Sequence, residues 1–116
     1  IEVKSYNLTS TDKSDIMTDV LDAKALIIGS PTLNNGMFPS VAEFLCYLKG
    51  LKPKNKIGAT FGSYGWGGGA TKAVRQEMDE MGIEMIADDL TFKWVPEEAE
   101  LAQCVEFGGN IAKKMK

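Results

Sequence analysis

The chain has 116 residues, with 13 Lys and Arg against 16 Asp and Glu, a formal net charge of −3 and no histidine. That length suits one domain, and 44% hydrophobic with 25% charged residues suits a chain that buries a core, which excludes disorder and collagen-like repeats. The longest apolar run, Ala25 to Ile28, falls far short of the roughly 20 residues of a membrane span, a chain without histidine has no Ser-His-Asp triad, Cys-His dyad or imidazole metal site, and an acidic chain without a basic run lacks a surface for neutralising nucleic-acid phosphates.

In chain order, Ile1 to Tyr6 alternates as a strand does, with Ile1, Val3 and Ser5 on one face. Ile16, Met17, Val20 and Leu21 then follow helical spacing, and Thr9, Ser10 or Thr11 is expected to cap that helix. The continuous apolar run Ala25 to Ile28, ending at Gly29, has the pattern of a strand buried on both faces of a parallel sheet. Ser30 to Pro39 reads as a loop. From Ser40, residues Val41, Phe44, Leu45 and Leu48 recur at helical spacing, with Ser40 and Glu43 as a capping box and Gly50 as the stop. Ile57 to Phe61 is the next strand. A glycine-rich loop leads to a helix face of Ala70, Ala73, Val74, Met78 and Met81, stopped by Gly82. Ile83 to Ile86 and Leu90 to Trp94 form a last strand region, interrupted at Asp88-Asp89. Pro96-Glu97-Glu98 starts a helix whose buried face is expected to carry Leu101, Val105, Gly108 and Ala112.

Strand and helix thus alternate four times. Parallel neighbours are reached only through crossovers, so the expected fold class is α/β, a parallel sheet with helices on both faces. In open sheets of this kind ligands bind beyond the carboxyl ends of the strands, which here means Gly29 to Pro39, Gly62 to Ala70 and Trp94 to Pro96.

Two of those loops carry the candidate residues. In the first, Thr32, Asn34 and Asn35 offer donors and acceptors, and the Asn35-Gly36 peptide unit is free to flip because glycine tolerates positive φ. The competing reading is a well-made turn. The second, Gly62-Ser63-Tyr64-Gly65-Trp66-Gly67-Gly68-Gly69, sets two large aromatics on a glycine scaffold before a helix start, an arrangement suited to stacking on a flat ring. Its competing reading is a loop whose aromatics pack back on the sheet.

Gly65-Trp66-Gly67-Gly68-Gly69-Ala70 also fits G-x-G-x-x-G/A, with Asp88 or Asp89 following as the ribose-binding acid of a nicotinamide dinucleotide site. Against it, four residues separate Phe61 from Gly65, and a tryptophan fills the first variable slot. Gly69-Ala70-Thr71-Lys72 lacks the order of a P-loop, and no Asp ends a central strand as a phosphoacceptor would require. Cys46 and Cys104 form no CxxC pair and no signal peptide precedes them, so both read as small helix hydrophobes in a reducing, cytoplasmic protein. Glu97, Glu98 and Glu100 read as a solvated helix start, and Met78, Met81, Met85 and Met115 as core.

Taken together, a strand ending Gly-Ser-Pro-Thr, then Asn-Asn-Gly-Met-Phe-Pro, then a strand ending Gly-Ser-Tyr-Gly-Trp-Gly-Gly resembles the flavodoxin-like FMN domain of the flavodiiron, or A-type flavoprotein, family. The resemblance implies a three-layer flavodoxin-like sandwich over residues 1–116, here without its first βα unit and phosphate loop. It implies that Pro31, Thr32, Leu33, Asn34, Asn35 and Gly36 form one wall of an FMN ring site, and Ser63, Tyr64, Gly65, Trp66 and Gly67 the other. It also implies electron transfer from a rubredoxin-like protein or a coenzyme donor to a diiron domain that reduces oxygen or nitric oxide. The absence of the first unit, together with an opening Ile1-Glu2-Val3-Lys4 that has no initiator Met, points to a fragment of a longer chain. Within it, either Ile1 to Tyr6 closes the gap in the sheet or a second copy pairs there. The alternative from another class is a flavin-free interaction module.

Overall fold

A computed structural model describes residues 3–8, 10–33, 36–54, 56–64, 69–93 and 97–115, with only the backbone described at Lys13, Pro31, Leu33, Tyr64 and Lys93. Helix α1 (Lys13–Asp22) is followed by β1 (Ala25–Leu33), β2 (Gly36–Met37), α2 (Pro39–Leu51), β3 (Ile57–Tyr64), α3 (Ala70–Glu80), β4 (Glu84–Met85), β5 (Leu90–Lys93) and α4 (Glu98–Met115). Strand order is β2-β1-β3-β4, with β5 also on β3. β1 and β3 run parallel from Ala25↔Ile57 to Pro31↔Ser63, and β3 pairs parallel with β4 at its start and with β5 from Phe61↔Leu90 to Tyr64↔Lys93. The α/β class and the break between β4 and β5 agree with the sequence reading.

One face of the sheet is fully dressed. Leu26 and Ile28 of β1 join Ile16, Met17 and Val20 of α1, Val41, Phe44, Leu45 and Leu48 of α2, and Val74 and Met78 of α3 in a single core. Period-2 alternation sends Ala25, Ile27 and Gly29 to the opposite face, with Ala59 and Phe61 of β3 beside them. There α4 packs over β5, burying Phe92 and its own Ile111. Ile27 and Phe61 stay 45% and 42% exposed.

Several local expectations are corrected. Val3 to Asn7 is not a strand: among the described residues nothing pairs with it, and it lies along α1, where Lys4 Nζ (3.1 Å) and the Tyr6 hydroxyl donate to the Asp19 carboxylate. It does not close the gap beside β1, whose pairing along Ala25 to Pro31 is with β3 alone among the described residues. Asp12 rather than Thr9, Ser10 or Thr11 caps α1, accepting from Ser14 N–H at 2.8 Å, and Leu21 is exposed. At its other end, buried Lys56 donates to the carbonyls of Leu21 (3.3 Å) and Ala23, satisfying helix-end acceptors, and burial pushes its ammonium pKa down.

Helix α2 begins at Pro39, not Ser40, with Phe38 in the N-cap place and no side-chain cap. Proline at the first helical position has φ preset and no N–H to satisfy, so a capping box is unnecessary. The helix runs past Gly50 to Leu51 and stops at Lys52 in the left-handed region (φ 52), next to buried Pro53. Gly82 does end α3 as expected, at φ 85. Cys46 is exposed, one residue beyond buried Leu45, whereas Cys104 is half-buried.

The largest departure is in α4. The helix starts at Glu98 with Glu98 and Glu100 in its first turn, as expected of a solvated acidic start, and Glu97 N–H donates to the Glu100 carboxylate at 3.1 Å, but Leu101 and Val105 are 52% and 78% exposed and Gly108 is open. The stripe is genuine in spacing and lies on the flank of the helix, about 110° around from Phe107 and Ile111 at about 100° per residue. No element among those described covers it.

Leu48→Ala should therefore cost about 2–5 kcal/mol, the range for a fully buried leucine, whereas Leu101→Ala and Val105→Ala should each stay within about 0.5 kcal/mol. Urea unfolding of the three variants checks this. A Val105→Ala penalty equal to that of Leu48→Ala would mean that the α4 flank is buried.

Candidate functional site

The site is built where β1 and β3 end. Both strands run further than their apolar cores: β1 continues through Ser30-Pro31-Thr32-Leu33 and turns back antiparallel as β2, pairing Thr32↔Met37 and Leu33↔Gly36. β3 continues through Gly62-Ser63-Tyr64. The residues read as loops from Ser30 and Gly62 are thus strand extensions, because polar and glycine residues complete a ladder wherever the neighbouring strand offers partners. Pro31 stands opposite Ser63, so the two candidate segments leave the sheet side by side at one end.

Glycines set how tightly this corner closes. An added Cβ on Gly62 would lie 2.3 Å from the Ser30 carbonyl oxygen, and one on Gly58 would meet Met78 and Ile83 at 2.6 and 2.8 Å. With Thr60 between them, whose hydroxyl donates to the Ile28 carbonyl at 2.8 Å, these small residues bring α3 down onto β3. The start of α3 arrives next to β1, where Thr32 Oγ1 accepts from Ala70 N–H at 3.4 Å. Ser30 Oγ, almost wholly buried, accepts from Phe38 N–H at 2.9 Å at the start of α2.

Of the expected site residues, Pro31, Thr32, Leu33 and Gly36 lie together on the β1–β2 hairpin, and Ser63 and Tyr64 on the adjoining end of β3. Asn34, Asn35, Gly65, Trp66 and Gly67 lie outside the described residues. Gly36 is extended rather than left-handed. Sequence reasoning missed Ser30 and Ala70. The available signal was that Ser30 and Thr32 continue the alternation of Leu26 and Ile28, which faces the helices.

No Asp, Glu, Lys, Arg or His occurs between Lys24 and Glu43 or between Lys56 and Lys72. An uncharged corner of backbone amides and hydroxyls suits a flat, neutral ring. The resolved pKa shifts lie elsewhere, as at Lys49 and Glu80, whose 2.8 Å ion pair raises the first and lowers the second. An open cleft of about 850 Å³ lies between α4 and the β4–β5 segment, lined by Arg75, Ile86, Leu90, Phe107 and Lys114 among others. None of its described lining residues comes from the candidate loops.

The dinucleotide alternative changes in two ways. Because β3 reaches Tyr64, Gly65 follows the strand directly and the spacing objection disappears. Asp89, however, is engaged by Arg75 at 2.9 Å, with the same guanidinium nitrogen on the Ala87 carbonyl at 3.0 Å, so its carboxylate is committed to the β4–β5 connection.

Residues 1–108 match the flavodoxin family. The chain belongs to that family. Over 115 residues it is 44% identical to a nitric oxide reductase of Moorella thermoacetica, covering 98% of this chain and 29% of the relative. Over 103 residues it is 46% identical to the rubredoxin-oxygen oxidoreductase of Megalodesulfovibrio gigas, covering 89% and 26%. The solved rubredoxin oxygen:oxidoreductase from Desulfovibrio gigas superposes with TM-score 0.80 over 83% of this chain and 24% of that one, at 46% identity. An archaeal flavodoxin superposes with TM-score 0.81 over 92% and 73%, at 30% identity. The chain thus spans under a third of the curated relatives and corresponds to the flavodoxin-like part of flavodiiron proteins, an FMN-binding electron-transfer module. Nothing in these relatives supports a nicotinamide site or a flavin-free module.

Gly62→Ala should destabilise the chain by about 1–3 kcal/mol, as overpacking does, because the backbone oxygen it meets has little room to yield. Gly50→Ala, with no atom within 4 Å, should stabilise by about 0.5–1 kcal/mol through helix propensity. Thermal and urea melts of the pair check both signs.

Proposed function

We propose that this chain is the flavin-carrying module of a flavodiiron-type reductase of oxygen or nitric oxide, working in the cytoplasm. One observation carries the assignment of the site: two uncharged segments, Ser30 to Leu33 and Gly62 to Tyr64, end adjacent parallel strands side by side at the same end of the sheet. Pro31 to Gly36 would form one wall of the ring site and Ser63 to Gly67 the other. Bound there, FMN supplies reversible one- and two-electron transfer. The protein's part is to position the ring, hydrogen-bond its edge through backbone groups and exclude water from its faces. The electron donor in this reading is a rubredoxin-like protein or a coenzyme, and the acceptor is the diiron domain of the same enzyme. The similarity to the Moorella nitric oxide reductase and the Megalodesulfovibrio rubredoxin-oxygen oxidoreductase supports this assignment.

Phosphate needs a different set of groups. A doubly negative phosphate calls for converging N–H or hydroxyl donors, and the residues around the ring corner carry no cation nearer in sequence than Lys72. The open edge of β1, exposed Ile27 and Phe61, and the uncovered flank of α4 together call for a parallel strand followed by an apolar helix. We take a strand–helix unit of the parent protein to fill that place and to bring the phosphate donors with it. The archaeal flavodoxin, of which this chain matches 73%, has length to spare for such a unit.

Residues 1–116 alone should accordingly bind FMN and riboflavin with similar, weak affinity, read by quenching of flavin fluorescence. Tyr64→Ala and Trp66→Ala should each lose about 1–3 kcal/mol of that binding, the range for buried aromatic stacking and transfer. Tight FMN binding with riboflavin refused would show that residues within this chain hold the phosphate. A dimer on size-exclusion chromatography would assign the β1 edge to a second copy instead.

A further inference from the structure

Helices α2 and α3 start without side-chain caps of their own, since Phe38 and Gly69 occupy the N-cap places. The amides near each start have no partner within the helix, and one of them, on Ala70, belongs to a residue only 1% exposed. Both helix starts are instead met by hydroxyls from a single strand. Ser30 and Thr32 stand two residues apart on the helix-facing side of β1, and each accepts one backbone N–H, from Phe38 at 2.9 Å and from Ala70 at 3.4 Å. Phe38 follows the segment at 34–35 and the β2 strand, whereas Ala70 follows the segment at 65–68. These two bonds therefore tie the far ends of both candidate flavin loops to the strand between them.

We propose that Ser30 and Thr32 are positioning residues that fix the spacing between the two walls of the flavin site, with Thr32 holding the aromatic loop through the start of α3. This rests on the FMN reading above. The chemistry favours a hydroxyl at these places: it accepts a buried N–H without introducing charge into an uncharged corner, and its second lone pair and proton can serve another neighbour. Valine has nearly the shape of threonine but no acceptor, so Thr32→Val leaves the Ala70 amide buried and unpaired. Thr32→Ser keeps the acceptor.

Amide hydrogen exchange and riboflavin titration on the 116-residue chain together test the proposal. Thr32→Val should speed exchange at Ala70 and Thr71 about tenfold, the equivalent of one lost hydrogen bond, while Val74 and Met78 exchange as in the parent chain. Its riboflavin affinity should fall by a similar factor, and Thr32→Ser should stay near the parent in both readouts. Should Thr32→Val not fold, Thr32→Ala removes the hydroxyl without inserting a methyl in its place and carries the same expectations. Unchanged exchange would overturn the bond. Faster exchange with unchanged riboflavin affinity would overturn the positioning role and leave the FMN reading intact. A parent chain that binds no riboflavin would remove the FMN reading and the positioning role with it, while the exchange data would still report whether the bond exists.

Discussion

The close approach of β1, β3 and α3 governs the rest of the molecule. Gly62 brings the β3 backbone against the Ser30 carbonyl, and Gly58 lets Met78 and Ile83 close over the strand, so that α3 lies deep enough for its first amide to reach Thr32. Larger side chains at either glycine would lift the helix away from the strand. The two segments proposed to hold the ring would then separate, because each is anchored at one end in this corner. Packing in a protein interior is dense enough that a displacement of this kind propagates to its neighbours instead of being absorbed locally.

The two faces of the sheet differ for a related reason. Three amphipathic helices share one face and enclose a continuous apolar core, whereas α4 alone covers the β5 side of the other. Ile27, Phe61, Leu101 and Val105 are consequently wet, although their spacing in sequence is that of core residues. Apolar surface on this scale next to an unpaired strand edge is what a protein normally covers with further chain.

Much of this was legible in the sequence. The apolar run at Ala25 to Ile28, the helical spacing from Val41 to Leu48 and the Gly82 stop each reflect a local cause, and each element is found in place, although the strand at Ala25 to Ile28 is buried on the Leu26–Ile28 face only and not on both faces as its pattern suggested. The uncharged corner where β1 and β3 end side by side was legible from the parallel alternation and from the glycine and hydroxyl residues of Ser30 to Thr32 and Gly62 to Ser63, while the flavin site proposed there also draws on Asn34, Asn35 and Gly65 to Gly67, which lie outside the described residues. What escaped was set by neighbours rather than by local pattern. Ser30 to Leu33 and Gly62 to Tyr64 look like loops, yet they become strand because Ser30 and Pro31 pair with Gly62 and Ser63, Thr32 and Leu33 with β2, and Gly62 to Tyr64 with β5. Ile1 to Tyr6 alternates like a strand, yet among the described residues no strand lies beside Val3 to Asn7, and Lys4 and Tyr6 bond to Asp19 of α1 instead. Leu101 and Val105 have a core stripe's spacing, but burial depends on an opposing surface. The roles of Ser30 and Thr32 depend on where two distant helices begin.

The central claim is that a flat ring docks between the ends of β1 and β3. Backbone amide chemical shifts of the labelled chain, followed by NMR during a riboflavin titration, test it most directly. The account predicts perturbations concentrated in residues 31–37 and 62–71, with the cleft beneath α4 unaffected. Shifts centred on Arg75, Leu90 and Phe107, with the β1–β2 hairpin unmoved, would place the ring in that cleft and contradict the account.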